Sequence, residues 1–245
     1  MRANAQEAFT MQTPEELRII PVRDIGEIQK GDDLPRVLSK AVSLQDHDVL
    51  VVTQKVVSKA EGRLVKVDPD DSGGHKAIVE GESVRILRRR GDLIISETEH
   101  GFVCANAGVD FSNVPDGYAA LLPIDSDRSA RRIRDVIRAE QKVEIGVIIS
   151  DTFGRPWRRG VTDVAIGCAG ISPILDLRGT EDASGRELHV TEVAIVDELA
   201  AAAELAMGKS TGYPAAVVRG VPPAWFRSGS VATDIVRNPS EDLFR

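Results

Sequence analysis

The sequence is poor in cysteine and in aromatic residues. It has two cysteines among 245 residues, Cys104 and Cys168, and aromatic side chains make up 4% of the chain. Two cysteines this far apart do not suggest a disulfide framework or a cysteine-built zinc site, so each is expected to be a small buried hydrophobic residue. With so few aromatic side chains, the core must consist mainly of Val, Ile, Leu and Ala.

Long apolar runs and an excess of positive charge are also missing. No stretch approaches the roughly 20 apolar residues needed to cross a bilayer, and residues 1–14 lack the apolar run of a secretion signal. The formal net charge is −7, which gives little attraction to nucleic acid or to anionic lipid. We therefore expect a cytoplasmic protein that binds neither nucleic acid nor membranes.

The apolar patterns predict a mixed α/β (α+β) fold. The whole chain, 1–245, is expected to form one domain behind a loose tail at 1–14, or two intimately packed lobes. Strands are predicted at 17–22, 48–53, 93–96, 143–150 and 215–218, and those at 48–53 and 143–150 are apolar enough to be buried on both faces. Helices are predicted to begin near 31–33 and 125–127, to run from 191 to 207, and to pass through 84–87 into the arginine run 88–90. A polar turn is expected at 68–74.

The end of the predicted strand 143–150 is the strongest candidate site. Asp151 directly follows a buried apolar run, at the sheet edge where α/β proteins place ligands. Its carboxylate and the Thr152 hydroxyl are oxygen ligands of the kind that Mg²⁺ and Mn²⁺ prefer. The next loop holds Arg155, Arg158 and Arg159, which suit a phosphate or a substrate carboxylate. An ordinary turn with solvated arginines explains the local pattern equally well.

Two further segments carry groups that suit a phosphate and its metal ion. In residues 106–114, Asp110 offers a second carboxylate, although composition alone favours a simple turn between strands. In residues 53–63, Lys55 and Lys59 suit a nucleotide loop, and surface lysines explain them equally well. Residues 208–211 resemble the end of a P-loop, but Ala203 stands where the motif needs its first glycine, and the segment follows a predicted helix. This excludes a Walker motif and leaves a loop that could lie beside a nucleotide.

Several long segments of the sequence resemble the F420-0:γ-glutamyl ligase family, also called coenzyme F420:L-glutamate ligase. They occur in the order that the family uses, from about residue 18 to residue 220, and they are VVTQKVVSKAEGRLV, NAGVDFSNV, VIISDTFGRPWRRGVTDVAIGCAG, GRELHVTEVAIVDELAAAAELAMGK and PAAVVRG. Because long segments agree, rather than one short motif, the resemblance is specific.

The resemblance implies both a fold and an activity. The implied fold is an unusual mixed-sheet α/β fold that forms an intertwined homodimer, and in some actinobacterial relatives the domain is fused to a C-terminal flavin-binding domain. The implied activity is GTP-dependent addition of L-glutamate to the deazaflavin precursor F420-0, followed by γ-linked additions. Mg²⁺ or Mn²⁺, as two divalent ions, and K⁺ are the implied cofactors.

The resemblance also implies roles for individual residues. The metal ligands are expected to be Asp110, Asp151 and Thr152, and the two aspartates are also expected to be catalytic. The expected nucleotide contacts are Ile25, Gly26, Glu27, Ile28, Gln54, Lys55, Lys59 and Asn113. Arg155 and Arg159 are further catalytic candidates that rest on charge and position instead.

Two other functions remain open at this stage. One is a nucleotide-dependent ligase that joins a different carboxylate to an amine. The other is a non-catalytic module that binds a nucleotide or a deazaflavin. The pairing of Asp110 with Asp151 and Thr152 favours an enzyme, because a pure binding module has no need of paired carboxylates.

Overall fold

The computed structural model describes residues 14–67 and 73–243 as a mixed arrangement of strands and helices. Its strands are β1 (Arg18–Val22), β2 (Val49–Thr53), β3 (Leu64–Lys66), β4 (Ser83–Arg90), β5 (Leu93–Thr98), β6 (Val103–Ala105), β7 (Tyr118–Ala120), β8 (Gly146–Arg155), β9 (Arg158–Ala169), β10 (Leu175–Asp176), β11 (Glu192–Val193) and β12 (Ala215–Arg219). Its α-helices are α1 (Leu34–Ala41), α2 (Gln54–Ala60), α3 (Gly74–Gly81), α4 (Ser126–Gln141), α5 (Ile195–Met207) and α6 (Val231–Asp234). The predicted tail, apart from residue 14, and residues 68–72 of the predicted turn lie outside the described ranges.

A five-stranded mixed sheet organises the fold, in the order β1-β12-β2-β8-β9. Strands β2 and β8 run parallel at its centre, and the other neighbouring pairs are antiparallel. The predicted mixed α/β class is confirmed, as are strands at 17–22, 48–53, 143–150 and 215–218 to within a few residues. No helix within the described ranges is long and apolar enough to cross a membrane.

Helices cover both faces of this sheet. Leu50 and Val52 of β2 pack into the cluster that contains α1 and α4, whereas Val49 and Val51 pack into the cluster that contains α5. Successive side chains of a strand point to opposite faces, so a strand covered on both faces must be apolar throughout. This explains why the run at 49–52 shows no polar alternation.

Helix α4 shows how the sequence sets the limits of an element. The Asp125 side chain accepts a hydrogen bond from the backbone N–H of Arg128, which satisfies a free donor of the first turn. Ala130, Ile133 and Ile137 recur at helical spacing and are fully buried against the sheet. The helix ends at Lys142, whose left-handed backbone (φ 59°) stops it. Gly167 of β9 allows the start of α4 to approach closely, because a Cβ there would lie 2.3 Å from the Ser126 carbonyl carbon.

A smaller antiparallel sheet, β4-β5-β6, corrects one sequence prediction. The predicted helix through residues 84–90 is wrong, because this segment is strand β4 and the nearest helix, α3, ends at Gly81. Arg88, Arg89 and Arg90 pair with β5 instead of capping a helix, and Arg89 forms an ion pair with Glu80 at 2.7 Å. Residues 84–90 are little buried on either face, so their apolar residues show neither a clear helical nor a clear strand period. Pairing with β5 determines that the segment is a strand.

Strand β8 also extends further than its apolar run. It continues from Ser150 to Arg155 and forms a long antiparallel hairpin with β9. The loop predicted after Ser150 is therefore wrong, and the predicted loop at 53–63 is likewise mostly helix α2. The hairpin register places Thr152 opposite Asp163. Pairing with β9 stabilises the strand beyond Ser150, although its polar residues predicted that the strand would end there.

A buried ion pair joins two strands of the main sheet. Asp48 precedes β2, is 1% exposed, and receives two hydrogen bonds from the Arg219 guanidinium at the end of β12, at 2.9 and 2.7 Å. The backbone N–H of Gln45 donates a third, at 2.8 Å. A bidentate arginine–carboxylate pair is among the stronger polar contacts in proteins. Arg219 is therefore the main partner of the buried Asp48 carboxylate.

We expect Arg219→Met to lower the free energy of unfolding by about 2 to 3 kcal/mol, since it leaves the Asp48 carboxylate buried without its main partner. Chemical denaturation of the wild type and the variant measures the loss. Arg18→Met is the matched control, because Arg18 lies directly opposite Arg219 in the sheet and its partner Glu16 is solvent-exposed. Equal stability of the two variants would show that the Asp48 pair contributes nothing.

Candidate active site

Most of the predicted site residues lie around one cavity of about 800 Å³. It opens at the carboxyl ends of the parallel strands β2 and β8, where Thr53 and Ser150 pair in register. Ligands bind at this edge of open α/β sheets because the loops diverge there and leave a crevice. The loops after β1 and before β7 and β12 complete the wall. The lining residues that carry the argument are Gly26, Glu27, Ile28, Gln54, Lys55, Lys59, Asp110, Ser112, Asn113, Asp151, Thr152, Asp163, Glu204 and Lys209.

Asp110 enters the cavity from a strained turn. Asn106, Ala107 and Gly108, which precede it, all have positive φ, at 51°, 52° and 70°. The Asn106 side chain stabilises this turn by accepting a hydrogen bond from the backbone N–H of Ile94 at 3.0 Å. A left-handed conformation at alanine costs roughly 1 kcal/mol or more and is found mainly at functional sites. The segment is the turn that composition suggested, and it also delivers a carboxylate to the cavity.

Lys55 of α2 forms an ion pair with Asp110 across the cavity. Its Nζ lies 2.7 Å from Asp110 Oδ2 and also donates to Ser112 Oγ at 2.9 Å. The backbone N–H of Ser112 donates to the other carboxylate oxygen at 2.7 Å. Burial acts to raise the pKa of Asp110, but the Lys55 ammonium and these hydrogen bonds outweigh it and hold the pKa below its usual value.

Asp151 has less compensation than Asp110. Burial raises the pKa of Asp151 to about 7, and the negative charges of Asp110 and Asp163 act in the same direction. A hydrogen bond from the Thr152 backbone and the charge of Lys55 oppose the shift without reversing it. A carboxyl group that loses its charge near neutral pH marks a place where positive charge is missing.

Asp163 is a cavity residue that the sequence analysis missed. It lies on β9, is 3% exposed, and accepts hydrogen bonds from Ser150 Oγ (3.1 Å), Thr152 Oγ1 (2.7 Å) and Lys209 Nζ (2.8 Å). The available signal was an aspartate immediately before the apolar run at 164–171. Its meaning depends on the hairpin register, which the sequence alone did not provide.

The loop at 208–214, rejected as a P-loop, forms one wall of the cavity. Gly208 ends α5 as predicted, with φ 61°. Lys209 then points back to the hairpin, where its Nζ lies 2.7 Å from Thr152 Oγ1, and it also pairs with Glu204 at 3.2 Å. The loop therefore lines the cavity, in agreement with the expectation of a loop that could lie beside a nucleotide.

The expected nucleotide contacts separate into cavity and core residues. Lys59 is buried and pairs with Glu27 at 2.5 Å, which joins α2 to the loop after β1. Gln54 is also buried, and its Nε2 has no hydrogen-bond partner among the described residues. Asn113 lines the cavity, whereas Ile25 packs in the core beneath the loop.

Arg155 and Arg159 are not brought to this cavity. They lie at the exposed end of the β8–β9 hairpin, where Arg155 Nη2 donates to the Arg159 carbonyl oxygen at 3.4 Å. Neither residue lines the cavity, so their catalytic role stays a prediction without a contact to support it. Cys104 and Cys168 are buried free thiols, as expected.

The donor chemistry of the cavity fits a hard divalent ion. Asp110, Asp151 and Thr152 all offer oxygen, and burial, together with the charges of Asp110 and Asp163, raises the pKa of Asp151. Within residues 14–67 and 73–243, no three His, Cys, Asp or Glu side chains converge closely enough to hold an ion by themselves. This arrangement suits Mg²⁺, which keeps several waters and takes other ligands from phosphate. The unpartnered Gln54 Nε2 is in addition a donor available to a ligand.

Comparison with known proteins identifies the family that the chain resembles. Residues 23–220 match the protein family described as F420-0:Gamma-glutamyl ligase. Proteins named coenzyme F420:L-glutamate ligase from Methanopyrus kandleri and Methanothermobacter thermautotrophicus are 44% and 41% identical to the chain. The matches cover 94% of this chain and 98% and 99% of those proteins, respectively. A relative of the same name from Archaeoglobus fulgidus is 38% identical, over 94% of this chain and 96% of its own length.

The chain belongs to the F420-0:γ-glutamyl ligase family. The matched range, 23–220, includes every residue that lines the cavity, from Gly26 to Pro214. The family resemblance and the cavity therefore rest on the same part of the chain. In this family member, the groups gathered from β8, α2 and the turn before β7 form one site.

We expect Asp151→Asn to raise the melting temperature of the metal-free protein near neutral pH. The folded state holds the Asp151 proton more tightly than the unfolded chain, where the aspartate pKa is about 3.9. The free energy of unfolding therefore falls as the pH rises from about 4 through about 7, because ionising Asp151 is unfavourable in the folded state. Below about pH 4 Asp151 has no such effect. Calorimetry in EDTA should show a gain at about pH 8 that disappears by about pH 4. A lower melting temperature at about pH 8 would show that the folded protein favours the charged form.

Proposed function

We propose that the chain catalyses GTP-dependent attachment of L-glutamate to F420-0, as a step of coenzyme F420 biosynthesis, and then adds further glutamates through γ-linkages. The observation that carries this proposal is one cavity in a member of the family, in which Asp110, Asp151 and Thr152 lie beside Lys55 and Lys59. Oxygen ligands for a cation and ammonium groups for phosphate are the two requirements of phosphoryl transfer.

The chemistry has two steps. An oxygen of the F420-0 carboxylate attacks the γ-phosphorus of GTP, the bond from that phosphorus to the β–γ bridging oxygen breaks, and GDP leaves. The uncharged amine of glutamate then attacks the carbonyl carbon of the acyl phosphate. The carbon–oxygen bond to phosphate breaks, inorganic phosphate leaves, and the nitrogen loses a proton as the amide forms. Activation is needed because a free carboxylate is a poor acyl donor.

The side chains of the cavity suit these steps. Asp110, Asp151 and Thr152 would hold Mg²⁺ or Mn²⁺, as two divalent ions with K⁺ as a further ion. Bound metal supplies positive charge that offsets the charge developing on the phosphate oxygens. Lys55 and Lys59 would contact phosphate as point charges.

Neutral groups of the cavity would bind the rest of the nucleotide. Gln54 Nε2 is a buried donor without a partner among the described residues, and a bound nucleotide would satisfy it. Gly26, Glu27, Ile28 and Asn113 line the same cavity and would hold the nucleotide through backbone and amide groups. Ile25 would contribute through its backbone alone, because its side chain lies in the core.

The proposed enzyme also has an assembly state and a location in the cell. We place the enzyme in the cytoplasm as an intertwined homodimer, as the family resemblance implies. Trp157 and Val161, at the exposed end of the hairpin that carries Arg155 and Arg159, are 87% and 61% exposed. Large exposed apolar side chains are common where protein subunits meet.

A single assay distinguishes this proposal from the two alternatives. The purified protein is incubated with GTP, Mg²⁺ or Mn²⁺, L-glutamate and F420-0, and phosphate release and product mass are followed. Product heavier by whole glutamate residues, formed only when glutamate and GTP are both present, supports the proposal. Ligation to another carboxylate, with none to F420-0, would indicate a different ligase. Tight binding of GTP or F420-0 without turnover would indicate a binding module.

We expect Asp110→Asn to reduce kcat by about a hundredfold or more, because an amide is a weak ligand for a divalent ion and the lost charge stabilisation is worth several kcal/mol. Circular dichroism should remain that of the wild type. Asp116→Asn is the matched control, because Asp116 is exposed on the same segment and does not line the cavity. Full activity of Asp110→Asn at saturating metal would remove Asp110 from the metal site.

A further inference from the structure

Asp163 is the buried acidic group of the cavity for which the proposed chemistry provides no role. It does not face a phosphate-binding lysine of α2, and its carboxylate is almost fully enclosed. Its three hydrogen-bond donors come from two different elements, Ser150 and Thr152 on β8 and Lys209 in the loop before β12. A buried carboxylate with this many donors holds its partners in fixed positions.

The contact with Thr152 determines what the threonine hydroxyl can do. A hydroxyl has one proton and two lone pairs. Since Thr152 Oγ1 donates its proton to Asp163 at 2.7 Å, its lone pairs are available to a positive group. In this structure the Lys209 ammonium takes that place, 2.7 Å from Thr152 Oγ1. The hydroxyl is therefore already oriented as an acceptor for a cation.

The contact with Lys209 fixes a wall of the cavity. Lys209 Nζ is 2.8 Å from Asp163 Oδ1, and the Lys209 side chain is half-exposed whereas Asp163 is buried. The loop at 208–214 supplies Gly208, Lys209, Ser210, Gly212, Tyr213 and Pro214 to the lining. Gly208 and Gly212 both have positive φ, so the loop backbone uses conformations that glycine tolerates. The ion pair joins this loop to the rigid β8–β9 hairpin.

We propose that Asp163 is a positioning residue, which orients the Thr152 hydroxyl toward a bound cation and anchors the loop at 208–214 through Lys209. It acts through these two residues and does not itself contact the substrates. The part of the proposal that concerns the cation rests on the proposed function. The anchoring of the loop does not, because it is a property of the ligand-free chain.

Asp163→Asn is the decisive variant. The amide has nearly the same shape and still accepts a hydrogen bond, but it has no charge to hold Lys209 and can present an N–H to Thr152. We expect the affinity for Mn²⁺, titrated in the presence of GDP, to fall about tenfold or more, as is usual when the partner of a metal ligand is changed. Amide hydrogen exchange in residues 208–214 of the ligand-free variant should become faster.

Asp127→Asn is the matched control for a merely structural role. Asp127 is also buried and also accepts three hydrogen bonds, from the backbone N–H groups of Cys168, Val231 and Ala232. It does not line the cavity. We expect this variant to lose stability while both its Mn²⁺ affinity and its exchange at 208–214 remain those of the wild type.

Lys209→Met tests the anchor without a buried substitution. The Lys209 side chain is 56% exposed, so the variant should fold, and its exchange at 208–214 should increase as in Asp163→Asn. Wild-type exchange in Lys209→Met would overturn the anchoring role, even if Asp163→Asn did not fold. Unchanged Mn²⁺ affinity in folded Asp163→Asn would overturn the role toward Thr152. A wild-type protein that binds no Mn²⁺ with GDP would contradict the proposed function, and the exchange measurement would still decide the anchor.

Discussion

The accumulation of negative charge at one edge of the main sheet is the constraint on which the rest of the site depends. Asp110, Asp151 and Asp163 approach one another closely enough for the charges of the first and third to raise the pKa of the second. Lys55 balances Asp110, and Lys209 balances Asp163. These lysines come from α2 and from the loop before β12, so the need for charge balance connects segments that are far apart in the sequence. Asp151 has no ion pair with Lys or Arg among the described residues.

The topology explains why these groups meet. Parallel strands β2 and β8 end at the same edge, so α2 and the polar half of β8 begin side by side. The antiparallel β9 then returns along β8 and brings Asp163 to Thr152. Strand β12 lies on the other side of β2, so the loop before it reaches the same edge. Helix α2, the polar half of β8, strand β9 and the loop before β12 therefore all reach the same edge of the main sheet.

The sequence predicted those features that depend on local patterns. Apolar residues at the required spacing predicted the strands at 49–53, 146–150 and 215–219 and the helix α4. The sequence also predicted the helix caps at Asp125 and Gly208. Strand β4 was predicted as a helix because its arginine run suits a helix C-terminus, and only pairing with β5 determines it. Asp163 was missed for a related reason, and Lys209 was considered only as part of a loop that could lie beside a nucleotide. Asp163 and Lys209 both contact Thr152, from which they are 11 and 57 residues away in the sequence. No local sequence pattern shows contacts over such separations.

Asp151 differs from the aspartates Asp48 and Asp127, which are buried and have structural roles. Asp48 and Asp127 each receive three hydrogen bonds, the first from Arg219 and a backbone N–H and the second from three backbone N–H groups. The fold fully satisfies both. Asp151 differs from both, because burial raises its pKa and the charges of Asp110 and Asp163 act in the same direction. A positively charged ligand would offset the cost of charging Asp151, and the open cavity beside this residue gives such a ligand room to enter. The cost of charging Asp151 therefore agrees with the cation that we propose for this site, whereas the hydrogen bonds of Asp48 and Asp127 are explained by the fold alone.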